Sequence, residues 1–478
     1  VIAFAITRRH VDIDLLTRGS GFGYLGSTLT SLVYATYTLI FLAYEGAIMA
    51  QAVTALTGLG LRLSYVVVSA VMIPLTLYGM TFSSKFQAWT WPLWIALIGL
   101  AIGTAATAPD AGHNMVHPAT VSPAGLAGLT VLAVFTIAAA QLSLATQVGE
   151  QGDYLRLMPD PTPKNRGRWR LAVIMGGPGF ALFAVGIFFA STLLVGYAAT
   201  KLGPSQVAVP VDLFTAVYER LTGNHTVALV LAGVLVLLSQ IKINIMNTYS
   251  GSLSWSNFFS RLLHRHPGRA AWVFLQVGLA LVLMELDIFS HIVEVLAWYS
   301  NVGVAWIAAM VSDLVINRKL LKLAPADLVF HRAHLYNVNP VGFGSMVVAG
   351  GVSMVAYYGA FGTAMAALSP FLALVLAFVL PPLVALATRG RWYVARVSEL
   401  PADATELPCT VCEGSYDVSD MATCPFHGGT ICSLCCSTEG KCKDACKPSA
   451  WVPRKTALGM PVVPPRAPAL TAVSEVTP

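Results

Sequence analysis

Only 11% of the 478 residues are charged and 56% are apolar, with a mean hydropathy of +0.69. A soluble domain averages about 25% charged residues, so a fold enclosed by water is excluded. The net charge of +6 does not signal nucleic acid, because no loop interleaves aromatics with a dense Lys/Arg cluster.

Val1–Thr7 reads as the end of a span already under way, which predicts that the chain is an N-terminal truncation of something longer. Ten apolar runs follow, near 27–55, 63–81, 91–107, 123–147, 172–199, 227–258, 271–286, 288–316, 342–361 and 366–388. About 20 helical residues cross a bilayer, and the alternating strands of an outer-membrane barrel are absent. The spans are expected to be helices, making residues 1–396 an all-α membrane domain.

Three stretches carry polar residues where lipid disfavours them, and such residues are functional candidates by default. Glu45 lies mid-span in IFLAYEGAIMAQA. The segment QLSLATQVGEQGD (141–153) has three Gln, Glu150, Gly149 and Gly152, the composition of an interrupted helix that offers backbone dipoles to a solute. In VLVLLSQIKINIMNTYSGSLSW, Lys242 is mid-span, and Gln240, Asn244, Asn247, Gly251 and Ser254 share one helical face. That face either lines a cavity or glues helices together. Lys242 lies about 160° from the Asn face on an ideal helix, and Glu45 is the partner expected for its charge.

All eight cysteines follow residue 400: Cys409, Cys412, Cys424, Cys432, Cys435, Cys436, Cys442 and Cys446, with His427 among them. Paired C-x2-C units bring two thiolates onto one tetrahedral ion, so residues 397–450 read as a zinc-binding segment for one or two ions. Iron–sulfur ligation and plain reduced thiols stay open. Residues 451–478 are proline-rich and read as a linker or tail.

If each span flips the side, 19 Lys and Arg fall on one side and three (Arg62, Lys201, Arg220) on the other. The positive-inside rule then makes the cysteine tail cytoplasmic, where disulfides rarely persist.

INIMNTYSGSL (243–253) resembles the Thr-Asn-x-Asn-x-x-Tyr-Ser region on the eighth helix of cytosine permeases. Asp153-Tyr154-Leu155-Arg156 is similar to the Asp-Phe-x-Arg that ends the sixth, and Phe41-x-x-x-Glu45 falls where nucleobase:cation symporters carry Trp-x-x-x-Gln on the third. The resemblance spans roughly 1–390 and implies a leucine-transporter-type inverted-repeat bundle of twelve helices. This chain would carry the third to the twelfth, with the first span and part of the second missing. It further implies that Phe41 stacks on a purine- or pyrimidine-like ring, that Glu45 replaces an amide, and that Gln147, Asn244 and Asn247 complete the solute site. The aromatic expected on the sixth helix falls near Leu144, so half of a ring sandwich is missing. Lys242 aligns with a hydroxyl that helps to ligate sodium, implying an ammonium in the cation's place and no sodium requirement.

The tail LCCSTEGKCKDACKP resembles the segment that follows the membrane half of certain bacterial sensor histidine kinases. No phosphoacceptor helix or ATP-binding glycine box appears before Pro478, so no enzymatic activity is expected of this chain. The readings carried forward are a transporter of a nucleobase-like solute in the bacterial inner membrane, a non-transporting receptor coupled to downstream signalling domains, and a structural membrane protein without a small ligand.

Overall fold

The computed structural model describes residues 1–116, 130–397, 400–401 and 404–447. Helix α1 (Ile2–Arg9) and the short turn Ile13–Thr17 lead into α2 (Gly26–Thr57), α3 (Leu61–Leu77), α4 (Gly79–Ala106), α5 (Val131–Gln141) and α6 (Val148–Leu155). Next come α7 (Arg166–Gly176), α8 (Gly179–Ala198), α9 (Pro210–Thr222) and α10 (His225–Leu263). The membrane domain ends with α11 (Arg269–Glu285), α12 (Ile292–Ser312), α13 (Ser345–Tyr357) and α14 (Thr363–Thr388).

Among the described residues, eight continuous helical segments are long and apolar enough to cross a bilayer. The 17-residue α3 and α11 are at the short end of a spanning length. Large apolar side chains cover the outer face, including Leu63, Leu93, Leu182, Phe274 and Val375. In water such a surface would aggregate, whereas in lipid it is the solvated face.

Helix occupies most of each apolar run, with three differences. Residues 123–129 of the fourth run lie outside the described residues. The run 172–199 is broken between α7 and α8 at Gly177–Pro178, because proline cannot donate the next helical hydrogen bond. Helix α3 stops at Leu77, and Gly79, with φ +81°, turns the chain directly into α4. Lys85, expected in a loop, is therefore exposed within α4.

Helices α2 and α10 form the most extensive pairing in the molecule. Glycines on α10 allow their close approach: a Cβ on Gly251 would stand 2.7 Å from Thr38 Oγ1 of α2, and one on Gly233 2.5 Å from Leu56 Cδ1 of α2. At their tail-side ends a polar lock forms. The buried Asp14 carboxylate is 3.8 Å from Arg261 and accepts from Asn257 at 2.9 Å and Ser254 at 3.3 Å. Arg261 also donates to Ser27 at 2.5 Å, to Ser31, and to the Tyr24 carbonyl at 3.5 Å.

The tail is two antiparallel hairpins and a short helix. Strand β1 (Glu406–Pro408) pairs with β2 (Ser415–Asp417), in the register Glu406 to Asp417. Strand β3 (Met421–Cys424) pairs with β4 (Gly429–Cys432), in the register Met421 to Cys432. The helix α15 (Ser433–Thr438) follows. Its buried apolar cluster is small: Cys409, Met421, Ile431 and Cys432.

Candidate solute site and metal centre

The interruption expected over 141–153 is a 3-10 segment, Leu142–Gln147, between α5 and α6. It packs tightly against two other helices. A Cβ on Gly149 would stand 2.4 Å from the Tyr34 ring of α2, and one on Gly303 of α12 would stand 2.1 Å from Thr146 Oγ1. Only glycine permits these approaches, and they bring the polar half of the interrupted helix to the centre of the bundle.

Here Phe41 and Tyr37 pack with ring centroids 4.5 Å apart, and Tyr299 of α12 meets Tyr37 edge-on at 5.3 Å. The side chain of Gln240 lies beside Glu45, and that of Gln147 beside Glu150. Tyr37 lies close to both carboxyls. Three buried polar atoms of these neighbouring side chains have no protein partner: Tyr37 Oη, Glu150 Oε1 and Gln240 Oε1. Buried polar groups are rarely left so, and together they form a set of donors and acceptors beside aromatic rings.

The other expected solute-site residues go elsewhere. Asn244 and Asn247 are sealed between α2, α10 and α11. Asn247 Nδ2 donates to Asn244 Oδ1 at 3.3 Å, and the Asn247 carbonyl accepts from Gln276 at 3.5 Å. Gln276 in turn accepts from Trp255 at 2.6 Å. Asn244 borders a cavity of only about 10 Å³, room for at most one water. Over this stretch the stripe on α10 packs against α2 and α11, with Asn244 Nδ2 left without a protein partner.

Lys242 faces a third direction. Its ammonium donates to the Gln87 carbonyl at 3.3 Å and lies 5.4 Å from the centre of the Trp91 ring, both on α4. The expected pairing with Glu45 is corrected: the two residues leave their helices on different sides, and a carbonyl with an aromatic face receives the charge instead.

Sequence reasoning did not assign Tyr37 and Tyr299 to the site. Tyrosines in apolar helices give no periodic signal, and the contribution from α12 arises only through packing. Glu150 was legible as an acid in an apolar stretch.

In the tail, Cys409, Cys412, Cys432 and Cys435 bring their sulfurs within 4.8 Å of one another. A tetrahedral zinc with bonds of about 2.3 Å needs sulfurs about 3.8 Å apart, so the four thiols fit such an ion. The knuckle 409–414 supplies one pair. The end of β4 and the start of α15 supply the other, where Cys432 Sγ accepts from the Cys435 amide at 3.4 Å. The Tyr416 hydroxyl, with the Gly414 amide, holds the Cys412 thiol down to about 6, whereas burial and the neighbouring thiols push Cys435 up. Among the expected ligands, Cys424, Cys436, Cys442, Cys446 and His427 lie outside this group. His427 Nε2 is 3.0 Å from a Glu439 carboxylate oxygen.

No family model and no curated protein matches the chain. Among solved structures, the chain is similar to Mhp1, a nucleobase-cation-symport-1 family transporter, in a closed conformation with bromovinylhydantoin bound. The TM-score is 0.53 at 17% identity, over 82% of this chain and 86% of that one. It is likewise similar to the inward-facing conformation of Mhp1, with a TM-score of 0.52 at 18% identity, over 83% and 86%. At this identity the likeness shows the fold: a multi-pass helical bundle shared with a membrane transporter. Neither match supports the receptor reading.

Proposed function

We propose that the chain is a membrane transporter for a nucleobase-like heterocycle, working by alternating access. The observation that carries this reading is the cluster of unpartnered polar atoms beside Tyr37, Phe41 and Tyr299, next to an interrupted helix in an Mhp1-like fold. Phe41 and Tyr37 offer faces on which a flat ring stacks. Glu45, Gln147, Glu150 and Gln240 offer the donors and acceptors that read its edge. Asn244 and Asn247 hold α10 against α2 behind the site.

The 19-to-three division of Lys and Arg supports an inner-membrane orientation with the tail in the cytoplasm. The tail holds one zinc on Cys409, Cys412, Cys432 and Cys435, whose chemistry there is structural: four thiolates close the coordination shell. Uptake of radiolabelled nucleobases into proteoliposomes, with and without a sodium gradient, tests the reading. Accumulation that unlabelled nucleobases compete supports it; no uptake and no binding of any nucleobase or hydantoin ends it.

A further inference from the structure

The tail does not hang free of the membrane domain. Its contacts come from the part of the tail that holds the thiols. Helix α15 begins at the metal pair, with Cys432 as its cap and Cys435 in its first turn. Its other end is gripped by the membrane domain. Arg332 donates to the carbonyls of Cys436 and Glu439 at 2.6 and 2.7 Å, and His264, which ends α10, reaches the Ser437 carbonyl at 3.0 Å.

A second grip follows a few residues later. Asp444 pairs with Arg332 at 3.0 Å and accepts from Asn337 at 3.0 Å, while Lys447 donates to Asn337 Oδ1 at 3.2 Å. The loop carrying Arg332 and Asn337 holds the foot of α2. The amides of Tyr24 and Leu25 donate to the Tyr336 and Asn337 carbonyls at 2.9 and 2.7 Å. The buried Tyr24 ring is ringed by three cations, Arg18 at 5.1 Å, Arg332 at 5.5 Å and Lys447 at 5.6 Å. The carbonyl of this same Tyr24 accepts from Arg261, the arginine that locks α10 to α2 through Ser27, Ser31 and Asp14.

A continuous set of contacts thus runs from the four thiols to the joint between the two helices that carry Phe41, Glu45 and Gln240. We infer that the metal-loaded tail is a latch: it holds the tail-side ends of α2 and α10 together, and loss of the ion releases them and opens the solute pathway to that side. The tail's apolar cluster is too small to fix α15 alone, so the ion supplies the order on which these grips depend. A coordinated change in α2 and α10 is what alternating access requires, and the latch bears on both at once. The control of transport rests on the solute-carrier reading; the mechanical coupling does not.

Hydrogen exchange of the full chain in detergent separates the two. Peptides covering 18–31 and 254–266 are followed with zinc bound, after zinc removal by a chelator, and in an Asp444→Ala, Lys447→Ala variant that keeps all eight cysteines. Chelation is expected to raise exchange in both segments by about tenfold, the result of losing about 1.4 kcal/mol of local stability, with residues 363–388 unaffected. The variant is expected to do the same while retaining its zinc. The latch is overturned if residues 406–432 become fast on chelation while 18–31 and 254–266 do not change, or if the zinc-loaded variant exchanges like the parent. In proteoliposomes, nucleobase uptake that ignores chelation despite the exchange change overturns the control of transport. If the parent takes up no solute, the carrier reading fails, and exchange still decides the latch.

Discussion

Arg261 and Asp14 form a buried ion pair, 3.8 Å apart, in which each side chain is at most 2% exposed. The pair survives desolvation because hydroxyls, an amide and carbonyls satisfy the remaining lone pairs and protons. Arg261→Ala leaves the carboxylate buried without its counter-charge, and the expected cost is about 3–5 kcal/mol. Thermal unfolding in detergent reads this directly. Asp14→Asn with Arg261→Gln should recover part of the loss, since no charge is then stranded. An unchanged midpoint for Arg261→Ala would show that the pair does not hold the bundle.

Glu45→Gln trades an acceptor-only carboxylate for an amide that also donates. A hydrogen bond to a charged group contributes about 1.5–3 kcal/mol, so relative affinities among nucleobases should shift by roughly 10- to 100-fold while the melting temperature holds. Competition binding measures it. A parent-like ligand ranking would make Glu45 a structural residue.

For Lys242, the contacts to Gln87 and Trp91 predict a role in joining α10 to α4. Lys242→Met keeps the stem and removes the charge; stability should change by no more than about 1 kcal/mol. If the ammonium instead replaces a coupling cation, Lys242→Thr will make solute binding sodium-dependent. Binding isotherms in sodium and choline buffers distinguish the two.

Metal content tests the thiol assignment. Cys409→Ser with Cys432→Ser removes half of the four-sulfur set and should abolish zinc there, by elemental analysis of the full chain. His427→Ala should leave zinc unchanged, because that ring is engaged with Glu439.

The loop that grips the tail predicts acid sensitivity. Burial, with nearby His334, Arg18, Lys447 and Arg332, pushes His331 down to about 3. Burial, with Arg396 and Lys447, pushes His334 down to about 4. A histidine lowered by folding is protonated first in the unfolded chain. Its contribution is therefore fully present above about pH 6.5 and is lost as pH falls toward its folded value, at about 1.4 kcal/mol per unit for each ring. Thermal midpoints should drop between pH 7 and 5, and His331→Asn should flatten that slope.

Hydropathy made the helical fold legible because a bilayer imposes length and polarity on every span. The break at Gly177–Pro178 and the direct turn at Gly79 lie inside or between apolar runs, where hydropathy is blind to backbone geometry. The two cysteine pairs that converge were readable from C-x2-C spacing, which encodes a local turn. Whether Cys424 or His427 joins them depends on tertiary placement. Asn244 and Asn247 show the same limit: their shared helical face was correct, but what that face touches is decided by Gln276 on another helix.

The six 3-10 residues Leu142–Gln147 also act as a phase shifter. At 3.0 rather than 3.6 residues per turn, each residue adds about 20° of rotation, so the segment turns α6 by roughly 120° relative to a continuous helix and lengthens it by about 3 Å. Helix α5 can therefore point Val131, Val134 and Ile137 at lipid while α6, in the same span, keeps Glu150 and Asp153 buried. Two faces that would compete on a uniform helix are separated in angle. A single-residue deletion between 142 and 147 would swing both acids by about 120°, and insertion into the membrane, rather than solute recognition, would be the first property lost.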